Sequence, residues 1–151
     1  MLNRLKDVFA SFESHDVRYV VIGGVAAILH GVPRSTFDLD ILIEPTEENA
    51  RRLLRALGDA GLGTASLTTP EEILANTITV FQDRVRIDVQ IETPGITFND
   101  AWSRRDTLRY QGQAFHILCK ADLLASKEAA GRPVDEEDVR ILRLGDDSRG
   151  P

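Results

Sequence analysis

Asp38 and Asp40 stand two apart in the stretch Phe37-Asp-Leu-Asp-Ile-Leu-Ile43. Its apolar residues Phe37, Leu39, Ile41 and Ile43 alternate with polar ones at the amino-terminal end. Alternate side chains of a strand share a face, so the two carboxylates point the same way with Cα atoms about 6.6 Å apart. Like charges held that close repel. A divalent cation, Mg²⁺ or Mn²⁺, removes the repulsion and leaves coordination positions for a triphosphate. Asp-x-Asp is also an ordinary pattern on the polar face of a strand. Asp88 offers a third carboxylate. It lies in Val85-Arg-Ile-Asp-Val-Gln-Ile91, where Val85, Ile87, Val89 and Ile91 face one way and Arg86, Asp88 and Gln90 the other. On a neighbouring strand it could complete a metal site and accept the proton of an attacking hydroxyl. Gly23-Gly24 is the fourth feature, placed where an apolar run ends and a helical one begins. Glycines there let the backbone approach a phosphate and turn N–H groups toward it, or simply make a tight turn. Neither Gly-x-Gly-x-x-Gly nor Gly-Lys-Ser/Thr is present, so two familiar phosphate loops are set aside.

The elements that must carry these residues can be read from periodicity. Leu2, Leu5, Val8, Phe9 and Phe12 recur at helical spacing and predict an opening helix that ends near Ser14. The β-branched run 17–22 predicts a buried strand stopped by Gly23-Gly24, and 25–30 a short helix closed by Gly31 and Pro33. The acidic strand at 37–43 follows, then a helix capped by Thr46, striped by Leu53, Leu54 and Leu57 and ended by Gly61 and Gly63. A short helix at 71–75 precedes strands at 77–81 and 85–91, turned by Asp83-Arg84. A strand at 114–118 and helices at 120–130 and 135–144 complete the domain, with Asp135 as the cap of the last. The sequence therefore predicts a single α/β domain over 1–144, with a mixed sheet of about four or five strands flanked by helices, and a disordered tail at 145–151.

Composition narrows the function classes. The 151 residues carry 24 acids against 18 bases, a formal charge of −6, which argues against an all-over grip on nucleic acid. Arg104, Arg105 and Arg109 read as a solvated connecting segment. The single cysteine, Cys119, forms no intrachain disulfide and reads as a buried structural thiol. The amino terminus lacks the apolar run of a signal peptide, and no stretch approaches the ~20 apolar residues of a membrane span. A cytoplasmic protein without a membrane partner is expected. His30 reads as a packing residue.

Gly23-Gly24, thirteen intervening residues, Asp38-Leu39-Asp40-Ile41 and a later isolated aspartate resemble the signature of the nucleotidyltransferase superfamily that includes DNA polymerase β. The fuller stretches Gly23-Gly-Val-Ala-Ala-Ile-Leu-His-Gly-Val-Pro-Arg-Ser-Thr-Phe-Asp-Leu-Asp40 and Lys127-Glu-Ala-Ala-Gly-Arg-Pro-Val-Asp-Glu-Glu-Asp138 resemble its bacterial branch of AbiEii-type toxins. The resemblance covers most of residues 17–142. It implies Asp38, Asp40 and Asp88 as catalytic metal ligands for Mg²⁺ or Mn²⁺ and Gly23 and Gly24 as the phosphate loop. Lys127, Arg34, Ser35 and Thr36 are implied as further contacts to a nucleoside triphosphate, although Lys127 also reads as a helix-surface lysine. The implied reaction moves a nucleoside monophosphate from a nucleoside triphosphate to an acceptor hydroxyl. The acceptor is open between a small molecule such as an aminoglycoside or lincosamide, a tRNA 3′ end and a protein. The alternative is a non-catalytic module of the same fold that binds nucleotide, a partner protein or a second copy of the chain, for example within a toxin–antitoxin pair.

Overall fold

The computed structural model describes residues 2–36 and 38–148. Helix α1 (Leu2–Ser14) buries Leu5, Val8, Phe9 and Phe12 on one stripe, as its spacing requires. Strand β1 (Tyr19–Ile22) is buried throughout and runs directly into helix α2 (Gly23–Leu29). Strand β2 (Asp38–Ile43) carries the Asp-x-Asp pair; Phe37, expected at its start, lies outside the described residues. Helix α3 (Glu47–Asp59) is capped by Thr46, whose hydroxyl accepts from the Asn49 N–H at 3.2 Å. A 3₁₀ turn at Gly63–Leu67 and the short helix α4 (Pro70–Ala75) lead to the antiparallel pair β3 (Ile78–Gln82) and β4 (Arg86–Gln90).

The next stretch departs from the expectation. Residues 98–110 are not a connecting loop: they form helix α5 (Phe98–Ser103) and strand β5 (Asp106–Tyr110). Strand β5 pairs with β6 (Gln113–Ile117) around Gln111 and Gly112, which have φ of 48° and 82°. Two successive positive φ values make the tight hairpin turn whose twist matches its strands. Arg109 is thus a strand residue and Arg104 and Arg105 close α5; Arg104 and Arg109 are exposed as a solvated surface requires, while Arg105 lies half-buried over the Trp102 ring. The sheet has six strands in the order β3-β4-β2-β1-β6-β5. It is mixed: β4 with β2 and β1 with β6 are parallel, the other pairs antiparallel. Helices α6 (Lys120–Ala130) and α7 (Pro133–Ser148) follow. α7 begins at Pro133 rather than at 135 and continues through 145–148, which were expected to be disordered; residues 149–151 lie outside the described part.

One face of the sheet is sealed by α1 and α3. Phe9 stacks on Phe115 with centroids 4.6 Å apart, and Phe12 packs against Tyr19 at 4.8 Å. Leu39, Ile41, Ile43, Ile87 and Val89 are all essentially buried. Each Å² of apolar surface this layer removes from water contributes about 25 cal/mol to folding. The opposite face is covered only in part, by α2, α5 and α6. The polar ends of β2 and β4 stay half-open there. No helix among the described residues is long and apolar enough to cross a membrane.

Candidate active site

Strand register brings the carboxylates together. In the parallel β2/β4 ladder Asp38 lies opposite Arg86 and Asp40 opposite Asp88. In the antiparallel β1/β2 ladder Ile22 lies opposite Asp40, so the chain leaves β1 beside that carboxylate. Gly23 makes the exit with φ +66°, and a Cβ built on it would lie 2.5 Å from Asp40 Oδ2. Only glycine fits, on backbone conformation and on space. At Gly24 a Cβ would lie 3.2 Å from Arg34 Nη2, so the Arg34 side chain closes over this turn.

Asp40 is pushed up to about 7 by burial, by the Asp88 charge and hydrogen bond and by Asp38, with Lys127 opposing. The cluster thus lacks positive charge. Part of it comes from Arg86, whose Nε donates to Asp88 Oδ1 at 3.0 Å and whose Nη2 donates to Asp88 Oδ2 at 3.4 Å. Its Nε also stands 3.8 Å from Asp38 Oδ2. Among the described residues no three His, Cys, Asp or Glu side chains are gathered closely enough to hold a metal as they stand. Arg86 spans two of the three that would.

Asp40 and Asp88 open into a cleft of about 430 Å³. Gly23, Ser126, Lys127, Arg132 and Asp135 form one side; Ile78, Gln90, Thr93 and Pro94 form the other. Lys127 is not the surface lysine its sequence position allowed. It is 5% exposed, and its Nζ pairs with Asp138 Oδ2 at 2.8 Å and Asp135 Oδ1 at 3.3 Å. Asp138 also pairs with Arg34 Nη2 at 3.1 Å, and Asp135 with Arg132 Nε at 2.7 Å. Burial raises the Asp135 carboxyl, but Arg132 and Lys127 outweigh it and hold it below the usual range. Asp135 also accepts the Arg132 N–H at 3.2 Å from the third position of α7, so it caps from inside the helix.

The turn after β4 fastens the two sides. A Cβ on Gly95, at φ +81°, would fall 2.7 Å from the Ala125 carbonyl and 2.9 Å from Ala129 Cβ, so this turn lies hard against α6.

Of the residues singled out in the sequence, Gly23, Asp40, Asp88 and Lys127 line the cleft and Asp38 adjoins it through Arg86. Arg34, Ser35 and Thr36 are not among its lining residues. Arg34 is engaged by Asp138, and the Thr36 hydroxyl accepts from the Asp38 N–H at 3.4 Å. Sequence reasoning passed over Arg86 and Arg132. Arg86 was visible as the polar-face neighbour of Asp88, and in a strand that spacing alone puts a cation beside the carboxylate. Cys119 is half-buried rather than buried, at the amino-terminal cap of α6, and its thiol is raised chiefly by burial. His30 packs as expected, bonding through Nε2 to the Leu118 carbonyl at 2.7 Å.

The family model described as "Nucleotidyltransferase of unknown function (DUF6036)" matches residues 3–146, and the chain belongs to that family. Two solved structures share the fold. A candidate nucleotidyltransferase from Thermotoga maritima is 16% identical, with a TM-score of 0.55 over 97% of this chain and 92% of its own. An antigenic nucleotidyltransferase-like protein from Paracoccidioides brasiliensis is 17% identical, with a TM-score of 0.56 over 91% of this chain and 72% of its own. No curated protein matches the chain at a significant level.

Proposed function

We propose that this member of the nucleotidyltransferase family moves a nucleoside monophosphate from a nucleoside triphosphate to an acceptor hydroxyl and releases pyrophosphate. The observation that carries the reading is the pairing of Asp40 with Asp88 across β2 and β4, beside a Gly23 whose missing side chain leaves room only for the Asp40 carboxylate. Asp38, Asp40 and Asp88 suit a hard divalent cation: three oxygen donors, crowded until Asp40 retains its proton near neutrality. Mg²⁺ or Mn²⁺ held there supplies Lewis-acid polarisation of phosphate oxygens and neutralises the carboxylates.

The chain's own residues do the rest. The Gly23 turn seats the Asp40 carboxylate at the mouth of the cleft, and Lys127, fixed by Asp135 and Asp138, supplies positive potential from the α6 side, where the triphosphate lies. Asp88 takes the proton of the acceptor hydroxyl. The acceptor oxygen bonds to the α-phosphorus as the bond from that phosphorus to the oxygen bridging it to the β-phosphorus breaks, in line, and pyrophosphate leaves with the electron pair. Within the superfamily, the stretches 23–40 and 127–138 support the AbiEii-type branch.

A second reading, a non-catalytic module, is favoured by one observation: Arg86 already bridges Asp38 and Asp88. One experiment separates the two. The chain is incubated with Mn²⁺ and nucleoside triphosphates labelled at the α- or γ-phosphate, with RNA, cell protein, aminoglycosides and lincosamides as acceptors, and Asp40→Asn in parallel. Transfer of the α-label alone, abolished in the variant, is the expected result. Absence of transfer with equal nucleotide binding by both proteins would leave the non-catalytic module.

A further inference from the structure

A second cavity lies at the other end of β1 from the cleft. Ile22 lines the cleft, whereas Tyr19 lines a cavity of about 240 Å³. It opens within the sheet. Strands β1 and β6 are neighbours in the strand order but share a single paired position, Val21 with Ile117. Toward Tyr19 they part, and the cavity takes its wall from Tyr19 on one strand and Ala114 and His116 on the other. The His116 N–H donates to the Tyr19 hydroxyl at 3.4 Å in place of a ladder bond.

Two properties of the wall define what fits. The first is its rings. Phe12, Tyr19, His116 and Trp102 all line the cavity and form a continuous series, with centroids 4.8, 5.6 and 5.3 Å apart in turn. A dry apolar cavity of ~150 Å³ holds benzene, so this one has room for a ring with polar substituents. The second is hydrogen-bonding capacity left over at the wall. Tyr19 is 3% exposed, and its hydroxyl accepts from His116 but finds no acceptor for its own proton among the described residues. Arg105 Nε is buried without a partner. The His116 ring bonds Thr107 through Nδ1, leaving Nε2, and Glu13 accepts from Gln113 through Oε2, leaving Oε1. Buried polar groups in a native fold are nearly always bonded, so a wall with several left over calls for a partner. Water would satisfy the polar groups but not the rings.

Charge then selects among rings. Arg105 and Glu13 line the cavity with opposite signs; Asp16, the other charged residue there, has a side chain 89% exposed and faces Arg52. Burial keeps the Tyr19 hydroxyl protonated, and burial together with the Arg105 charge holds His116 below its usual range, so neither adds charge near neutral pH. A cation in the cavity meets Arg105, and an anion meets Glu13. A neutral ring meets neither penalty, and its edge can accept from Arg105 and Tyr19 while donating to Glu13. We propose that this cavity is a second binding site, for a neutral planar heterocycle of the nucleobase type, whose face lies against the rings and whose edge carries both acceptors and donors. It stands apart from the transfer reading, since no residue lines both cavities.

The chain has one tryptophan, so the indole N–H of Trp102 is a single resonance inside the site. Adenine, uncharged at neutral pH, is titrated into the full chain beside benzoate and benzylamine, rings that carry opposite charges. Adenine should move the Trp102 resonance saturably, and each charged ring should bind about tenfold more weakly. Tyr19→Phe keeps the ring and removes the hydroxyl; Arg105→Met keeps an unbranched stem and removes the buried Nε. Each should weaken adenine about fivefold, the loss of one hydrogen bond. No saturable shift, equal binding of benzoate or benzylamine, or unchanged adenine affinity in both variants would overturn the site. So would adenine shifts at Ile78 in the cleft without a response at Trp102.

Discussion

Replacing Asp40 by Asn separates two effects that the wild-type residue couples, ligation and repulsion. The Asp40 carboxyl sits near 7 in the folded, metal-free chain against its ordinary 3.8, raised by burial and by Asp88 and Asp38. Between those values the folded state binds the extra proton, so metal-free stability falls as pH rises from about 4 to about 7 and levels off above. Asp40→Asn should therefore match wild type near pH 4 and exceed it near pH 8 by on the order of 1–3 kcal/mol, read from urea unfolding without metal. The same variant should lose Mn²⁺ binding and transfer. Arg86 gives the complementary case. It occupies Asp38 and Asp88 as a tethered cation, so Arg86→Gln should bind Mn²⁺ several-fold more tightly than wild type by titration calorimetry without nucleotide. An unchanged or weaker affinity would show that Arg86 does not compete. The three aspartates and the glycine pair were legible in the sequence because period-two alternation and a strand-to-helix break survive any packing arrangement. The Arg86 bridge to Asp38 was not legible, because it depends on β2 and β4 being parallel neighbours in one register.

At the scale of elements, the cleft is held open by fastenings between segments far apart in sequence. Gly95 presses its backbone on α6, so Gly95→Val must displace the helix that bears Lys127. A positive φ and an overpacked contact together should cost about 2–4 kcal/mol in urea unfolding and weaken nucleotide binding. Lys127→Met would leave Asp135 and Asp138 buried with less compensating charge. The expected loss is about 3 kcal/mol. Arg132→Ala, at a side chain 68% exposed, should cost well under that. A small effect of Lys127→Met would return Lys127 to a surface role. Elements with a buried stripe or face, such as α1, α3, β2 and β4, could be read directly, since burial imposes its period on the residues. Helix α5 and strand β5 could not. Six residues make fewer than two turns of helix, and β5, unlike β4 of the same length, has no buried position to alternate with exposed ones. Exposed positions on β5 and the arginines around it weaken the alternation further, and its pairing is fixed by the Gln111-Gly112 turn. Lys127 was ambiguous for a similar reason: helical spacing says which face a residue takes, and only the placement of α7 makes that face interior.

Across the whole molecule, the single sheet makes binding and folding one equilibrium. The cleft is bounded by Gly23 after β1, Asp88 on β4 and Lys127 on α6, elements that come from both halves of the chain. A triphosphate that contacts all three binds only the folded state and should stabilise the domain as a unit. At one hundred times its dissociation constant the gain is about 2.7 kcal/mol. A domain of this length gains roughly 2–4 °C of Tm per kcal/mol, so a rise of about 5–10 °C is expected. The rise should need Mg²⁺ and nucleotide together. Nucleotide alone meets the acidic cluster, and metal alone meets Arg86 on Asp38 and Asp88. Asp40→Asn sharpens the measurement: above neutral pH its metal-free Tm should lie above that of wild type, yet Mg²⁺ with nucleotide should move it little. If both proteins shift equally, binding does not run through the carboxylates. A nucleotide-only shift would place the phosphates on Lys127 and Arg132 without a metal.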